Sequence, residues 1–375
     1  MYCKNNDLGD KMDFRKEFEN IKCDLWQHLK ECKKPIVLYG MGDGADKIIA
    51  ELEKRGMEIS GVFASDGFVR EKIFHGHKVE TFASAKHRLS DMVVLVAFGT
   101  KIDEVIENVR IISAECELYA PDVPVFGGGI FDMLYFEENF FRLESVYNKL
   151  CDNTSKKAFT NSIKYRLTGN IEYLFQCETT VDESYKNILK PKSPCIYVDI
   201  GAYNGDTVRE FTSYSGNGIK VIAFEPDARN YRKLEKYAAE CDISDITVHN
   251  LAAWDKHETL TFYSRSGRNS ANTTSHVGAK ATEIQAVDID SIVEKADYIK
   301  IDAEGADLNA VIGAKRVISE HSPTVCIAAY HRTEDYFTIP EKVMELNEKY
   351  DIFFRHFRHI PCWDTNFYFR KRAQK

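Results

Sequence analysis

The sequence predicts an α/β protein built from two alternating series of strands and helices. Two matched stretches carry that prediction. "PIVLYG" (35–40) is a short apolar strand that runs into glycines and then the helical "ADKIIAELEKRG", and "IYVDIGAYNGDTV" (196–208) repeats the strand, glycine loop and helix order. Between them, residues 131–190 read as helical and aromatic, as in "FDMLYFEENFFRLESVYNKL". Strand and helix alternation of this kind implies a mostly parallel sheet in each unit.

At 375 residues the chain exceeds a single ordinary core, so three parts are expected: 1–130 as a Rossmann-like unit, 131–190 as a helical connector and 191–375 as the second α/β unit. The net charge of −8, with no long run of Lys or Arg, argues against a broad electrostatic hold on nucleic acid. No stretch approaches 18 consecutive apolar residues and the first 20 lack an apolar signal region, so no membrane role is expected. The ten cysteines are scattered without a C-x-x-C pair, the pattern of reduced thiols in a cytoplasmic protein.

In the first series, a helix is expected over 12–32, strands at 35–40, within 58–66, at 91–98 and near 123–128, and a helix at 101–110. The second series offers strands at 195–199, 220–225, 246–251, 259–263, 283–287, 297–301 and 324–330, then a final pair at 351–357 and 364–369 joined by a short Pro-containing loop. Its helices fall at 206–213, 227–240, 305–319 and 339–349. The polar loop "SRSGRNSANTTSHVG" (264–278) suits a lid over an acceptor.

Ligands of doubly wound sheets sit beyond the carboxyl ends of the strands, so the loop Asp199, Gly201, Ala202, Tyr203, Asn204, Gly205, Asp206 and Thr207 is the candidate cofactor site. Its glycines let the backbone approach a ligand closely. A pyrophosphate resting on the helix N-terminus would meet Asp199 and Asp206, which disfavours dinucleotides. S-adenosylmethionine has no phosphate and carries an ammonium and a sulfonium, so the same acids favour it. Glu225 follows Asp199 by 26 positions at the end of the second strand, where an acid takes ribose hydroxyls, while Pro226 and Asp227 suit a helix start.

Residues 195–331 resemble the FkbM-type methyltransferases, a branch of the class I S-adenosylmethionine-dependent fold. The resemblance rests on four motifs in order: "VDIGAYNGDTVREF", "AFEPDARNYRKL", "NLAAWD" (250–255) and "DYIKIDAEGAD" (297–307). The tail "AAYHRTEDYFTIP" through "RHFRHIPCWDTNFYF" is similar to a subgroup with an extra N-terminal domain. The resemblance implies a seven-stranded sheet with an antiparallel terminal hairpin, S-adenosyl-L-methionine as cofactor, and Ala252 and Ala253 of the third motif beside it. It also implies O-methyl transfer to a saccharide or another polyhydroxylated small molecule.

Methyl transfer needs an aligned acceptor and a base on the cofactor's rim. Asp302 and Glu304 follow one strand and His331 ends the next, so all three are expected there as catalytic groups, with His331 a candidate base. Lys300 alternates with Asp302 onto one face of its strand; a structural ion pair is its expected role and a catalytic one the lesser. The spacing of these acids and the histidine matches no metal signature, so metal-independent transfer is expected.

In the first unit, "GMGDGA" (40–45) and Asp66 fit a weak dinucleotide pattern, but Asp43 again opposes a pyrophosphate. This unit is expected as an accessory module for a nucleotide or nucleotide-sugar, or for docking or homodimer formation. The rival reading makes it an NAD-binding or nucleotide-sensing domain and the second unit a regulatory binder.

Overall fold

The computed structural model describes residues 14–65, 72–127, 129–264, 270–271 and 280–372. The Asp66 expectation and most of the 264–278 loop fall outside these residues. Within that loop only Ser264 and Ser270–Ala271 are described, as strand.

The expected helix over 12–32 is instead a 3₁₀ turn, Phe14–Phe18, and a separate helix α1, Leu25–Glu31. Asp24 causes the break: its side chain accepts from the Gln27 amide as an N-cap and from the Met133 amide, which restarts the helix. There follow β1 (Ile36–Tyr39), α2 (Asp43–Lys54), β2 (Gly61–Phe63), β3 (Ile73–Phe74), β4 (His77–Glu80), α3 (Phe82–Leu89), β5 (Val93–Val96), α4 (Asp103–Glu115) and β6 (Glu117–Tyr119). They form a six-stranded sheet in the order β3-β4-β2-β1-β5-β6, parallel except for the β3–β4 pair.

The last strand of this sheet is thus 117–119, not 123–128 as expected. The backbone of the later segment is engaged elsewhere: Lys47 Nζ donates to the carbonyls of Pro124 and Val125, and the Phe126 amide donates to the His331 carbonyl. With its polar groups taken from two sides, the segment is a strap rather than a strand.

The residues expected to connect two domains instead build the second unit's core. Helices α5 (Met133–Lys149) and α6 (Asn153–Thr168) are capped by Asp132 and Asp152, and they bury Phe136, Phe140, Leu143 and Phe159 against the second sheet. Phe159 meets Phe354 edge-on and packs beside Tyr336 and Phe367. Short helices α7 (Glu172–Phe175) and α8 (Val181–Ser184) flank β7 (Glu178–Thr179), a strand where none was expected.

The second sheet has eight strands: β8 (Ile196–Ile200), β9 (Lys220–Phe224), β10 (Asp245–His249), β15 (Tyr298–Ile301), β16 (Thr324–Ala328), β17 (Tyr350–Phe357), β18 (Thr365–Lys371) and β7, in the order β10-β9-β8-β15-β16-β18-β17-β7. The first five are mutually parallel, and β17 and β18 form the antiparallel terminal hairpin. Seven strands were expected, and β7 adds an eighth at the edge beside β17. The remaining strands, β11 (Ala252–Trp254), β12 (Glu258–Ser264), β13 (Ser270–Ala271) and β14 (Lys280–Asp288), form a separate four-stranded sheet. Helices α9 (Asp206–Ser215), α10 (Ala228–Glu240), α11 (Asp307–Gly313), α12 (Lys315–His321) and α13 (Asp335–Leu346) cover the main sheet, the predicted 305–319 helix being divided at Ala314. Among the described residues no helix is long and apolar enough to cross a membrane.

One buried side chain ties the middle helices to the hairpin. Arg355 of β17 donates to both carboxylate oxygens of Asp152 and of Glu183, at 2.8–3.2 Å, and its own side chain is 2% exposed. Fully buried pairs lose 3–5 kcal/mol when one partner is removed, but here both acids are about a third exposed and can rehydrate. Arg355→Met should therefore cost about 2–3 kcal/mol in urea unfolding. A loss below about 0.5 kcal/mol would mean that the middle helices do not depend on this tie.

Candidate active site

The strand order reverses between β8 and β15, the position where open α/β sheets bind ligands. Asp199 and Lys300 are register partners across that boundary. The Lys300 ammonium lies 3.7 Å from Asp199 Oδ1 and 3.5 Å from Asp302 Oδ2, and it donates to the Gly201 carbonyl at 3.2 Å. Burial alone would push the lysine toward neutrality, but Asp302 and Asp199 outweigh it and hold its pKa above the ordinary value. For Asp199, fully buried, desolvation raises the pKa against the pull of Lys300 and Thr207.

The loop after β8 fits tightly over this pair. Gly201 has φ +79°, and a Cβ there would stand 1.9 Å from the Asp302 carbonyl oxygen, so no other residue allows β8 and β15 to end side by side. The amides of Gly201 and Ala202 donate to the Phe224 carbonyl, and Thr207 Oγ1 donates to Asp199 Oδ2. Gly205, at φ +83°, opens α9 with no side-chain cap, and a Cβ there would strike the Tyr237 ring.

Above the loop lies a cleft of about 1560 Å³. Of the predicted cofactor residues, Gly201, Tyr203, Asp206, Thr207, Glu225, Pro226, Asp227, Ala252 and Ala253 line it. Asp199, Ala202, Asn204 and Gly205 do not: Asp199 lies beneath the loop, with its carboxylate committed to Thr207 and Lys300. Its place is that of a positioning residue rather than a direct ligand contact. Glu225 accepts from the amides of Tyr203 and Asp227, and burial pushes its pKa up to about 7. Asp227 caps α10 by accepting from the amides of Arg229 and Asn230, as expected.

On the other side of the switch point, the predicted catalytic groups come together. His331 Nδ1 lies 2.7 Å from Asp307 Oδ2, while its Nε2 is 3.4 Å from Asp302 Oδ1 and 3.7 Å from Glu304 Oε2. The same Asp302 oxygen accepts from the Tyr330 hydroxyl at 3.2 Å. Asp307, the first residue of α11, ties down the preceding turn by accepting from the amides of Ala303 and Gly305, and Asp302 lines the cleft.

His331 departs from its expected role. It is 1% exposed and does not line the cleft. Burial disfavours the imidazolium, but Asp307, Asp302 and Glu304 prevail and raise its pKa to about 10. Buried behind the cleft wall, the ring is not placed to touch an acceptor in the cleft. Glu304 is better placed: it lines the cleft with half of its side chain open, and desolvation pushes its pKa up to about 7, with His331 opposing and Asp302 adding. Its backbone is held at φ +50°, strained for a residue with a Cβ.

Several cleft residues gave no sequence signal as ligand contacts. Asn250 lines the cleft and donates to the carbonyls of Glu225 and Pro226, fixing that turn; its presence in "NLAAWD" was the available clue. Lys101 of the first unit, with Arg358 and Asp364 of the terminal hairpin, forms a polar border to the same cleft. Phe126 of the strap packs against the His331 ring at 5.7 Å and fills the space beside Gly305. In the first glycine loop Phe98 packs against Gly40 and the Ala97 carbonyl abuts Gly44, while the space beside Gly42 is open.

The Asp199–Lys300 pair makes a direct prediction. Lys300→Met strands the fully buried Asp199 without its cation and should cost about 3 kcal/mol. Adding Asp199→Asn removes the stranded charge, so the double variant should recover a measurable part of that loss in urea denaturation. A double variant no more stable than Lys300→Met would refute the pairing.

Residues 199–357 match the model of the methyltransferase FkbM domain. The fold is similar to the crystal structure of methyltransferase FkbM from Methylobacillus flagellatus KT, with a TM-score of 0.69 and 20% identity over 92% of each chain. More distant likenesses are to an rRNA methylase from Streptococcus thermophilus (TM-score 0.36, 11% identity, 52% of this chain and 98% of that one) and to Aeropyrum pernix fibrillarin in complex with S-adenosyl-L-methionine (TM-score 0.34, 12% identity, 50% and 71%). No curated protein sequence matches the chain. The second sheet, with the switch-point cleft at its rim, therefore belongs to a methyltransferase FkbM domain.

Proposed function

We propose that this methyltransferase uses S-adenosyl-L-methionine to methylate a hydroxyl of a saccharide or another polyhydroxylated small molecule. The observation that carries the reading is the pair of acids, Asp206 and Glu225, facing the cleft at the switch point. Asp206, at the start of α9, repels a pyrophosphate resting there, and the two acids suit a ligand with cationic groups and ribose hydroxyls. The cleft exceeds the roughly 300–1,000 Å³ of ordinary ligand pockets, leaving room for an acceptor beside the cofactor.

When bound, S-adenosylmethionine supplies an electrophilic methyl group on a sulfonium. The chain's own residues then have three tasks. Glu225 accepts from the ribose hydroxyls, its carboxylate already oriented by the Tyr203 and Asp227 amides. Asp302, held between Lys300 and the His331 ring, keeps its oxygens at the rim to align the acceptor. Glu304, with fewer partners and a pKa near neutrality, takes the acceptor's proton as the oxygen–methyl bond forms.

Titration calorimetry should detect S-adenosylhomocysteine binding and no NAD binding; the reverse would remove the methyl-transfer reading. Ribose hydroxyls favour the ionised form of Glu225, so affinity should be full above pH 7 and weaken, by at most about tenfold per pH unit, as pH falls through the Glu225 pKa. Glu225→Gln should flatten that profile, and an unchanged profile would exclude Glu225 as the contact. Glu304→Gln should lower turnover by about 100-fold while sparing S-adenosylhomocysteine affinity. Wild-type turnover in that variant would exclude Glu304 as base.

A further inference from the structure

His331 has an unfinished coordination. Its ring is 1% exposed, Nδ1 is engaged by Asp307 at 2.7 Å, and Nε2 has no hydrogen-bond partner among the described residues. The unpartnered nitrogen points toward two carboxylates, Asp302 Oδ1 at 3.4 Å and Glu304 Oε2 at 3.7 Å. These separations are long for hydrogen bonds. They are close to what a shared cation produces: ligand atoms held at about 2.0–2.2 Å from one ion stand roughly 3.0–3.6 Å apart, depending on the angle between them.

We propose that His331 Nε2, Asp302 Oδ1 and Glu304 Oε2 form a three-point site for a divalent cation at the rim of the cleft, the cation taking the place of the Nε2 proton, which is released to solvent. The three ligands come from two strand ends. Asp302 follows β15, Glu304 stands in the turn that Asp307 organises, and His331 follows β16. Sequence spacing concealed the site because 27 positions and a helix pair separate Glu304 from His331. Asp302, Asp307 and His331 lie near enough together for a metal set, and the hydrogen bonds divide the labour among them. Asp307 is spent on His331 Nδ1 and two backbone amides, so it is a positioning residue that fixes which ring nitrogen faces the ion. Two carboxylates with one imidazole suit manganese or magnesium, and Asp302 and Glu304 open the remaining positions to the cleft.

Resting on the proposed methyl transfer, this site also narrows the acceptor. A cation with adjacent open positions binds two neighbouring oxygens, so a vicinal diol or an α-hydroxy acid is held better than an isolated hydroxyl. Bonding to the cation makes the hydroxyl easier to deprotonate, and Glu304 retains Oε1 to receive the proton.

The test is titration of Mn²⁺ into the chelator-treated full-length protein, followed by the loss of the free-ion electron paramagnetic resonance signal, with S-adenosylhomocysteine binding measured in parallel. One Mn²⁺ per chain is expected. Glu304→Gln, at a half-exposed position that leaves the fold undisturbed, and Asp307→Asn should each weaken it by about tenfold or more. His331→Ala should abolish it, with folding checked by circular dichroism. Glu225→Ala should lose S-adenosylhomocysteine and keep Mn²⁺. Absence of saturable Mn²⁺ binding, or binding unchanged in Glu304→Gln, overturns the cation site while retained S-adenosylhomocysteine binding leaves the methyltransferase reading intact. Mn²⁺ binding without S-adenosylhomocysteine binding supports the cation site and refutes the cofactor instead.

Discussion

The switch point depends on one buried line of acidic and basic groups. Asp199, Lys300, Asp302, His331 and Asp307 follow one another at 3.7, 3.5, 3.4 and 2.7 Å, crossing the ends of β8, β15 and β16 into the start of α11. Each basic group is buried between two acids, which is the condition under which burying a charge becomes tolerable. The parallel register of β8 and β15 places Lys300 opposite Asp199, and Gly201 permits the close approach that the pairing needs. What the line presents to the cleft is Asp302, with Glu304 beside it. The Asp302 carboxylate is oriented by Lys300, Tyr330 and His331.

The first unit bears on the same site through packing. Lys47 of α2 holds the strap by two carbonyls, and the strap sets Phe126 against His331 and Gly305. Arg166 of α6 and Asp122, just before the strap, add a buried ion pair, and Thr333, two residues beyond His331, donates to the Gly129 carbonyl. The apolar Phe126 ring walls one side of the imidazole. The first unit thus walls one side of the site, and Lys101 brings a charged group from it to the cleft border.

Much of this was legible in the sequence, for a physical reason. The strand and helix periods, the glycine loops and the acids at strand ends are local properties, and parallel strands place their ends on one rim, so Asp302, Glu304 and His331 could be assembled without coordinates. Burial is not local. Asp199 and Asp206 look alike in the loop, yet only Asp206 faces the cleft. His331 read as a base because it ends a strand, but its ring is buried among three carboxylates, one of them the unremarked Asp307, and does not line the cleft. The 131–190 segment read as a connector because its aromatic residues carry no address; their partners, Phe354 and Phe367, lie some 200 residues further on. Residues 123–128 had the composition of a strand, and long-range hydrogen bonds from Lys47 and to His331 make 124–126 a strap.

The central claim is that the acids at the switch point form a cofactor and acceptor site on the second sheet. A crystal structure of the protein with S-adenosylhomocysteine tests it most directly. The account predicts the ribose hydroxyls within hydrogen-bond reach of Glu225 and the sulfur turned toward Asp302 and Glu304. Binding at the first glycine loop, or a sulfur turned away from that pair, would contradict it.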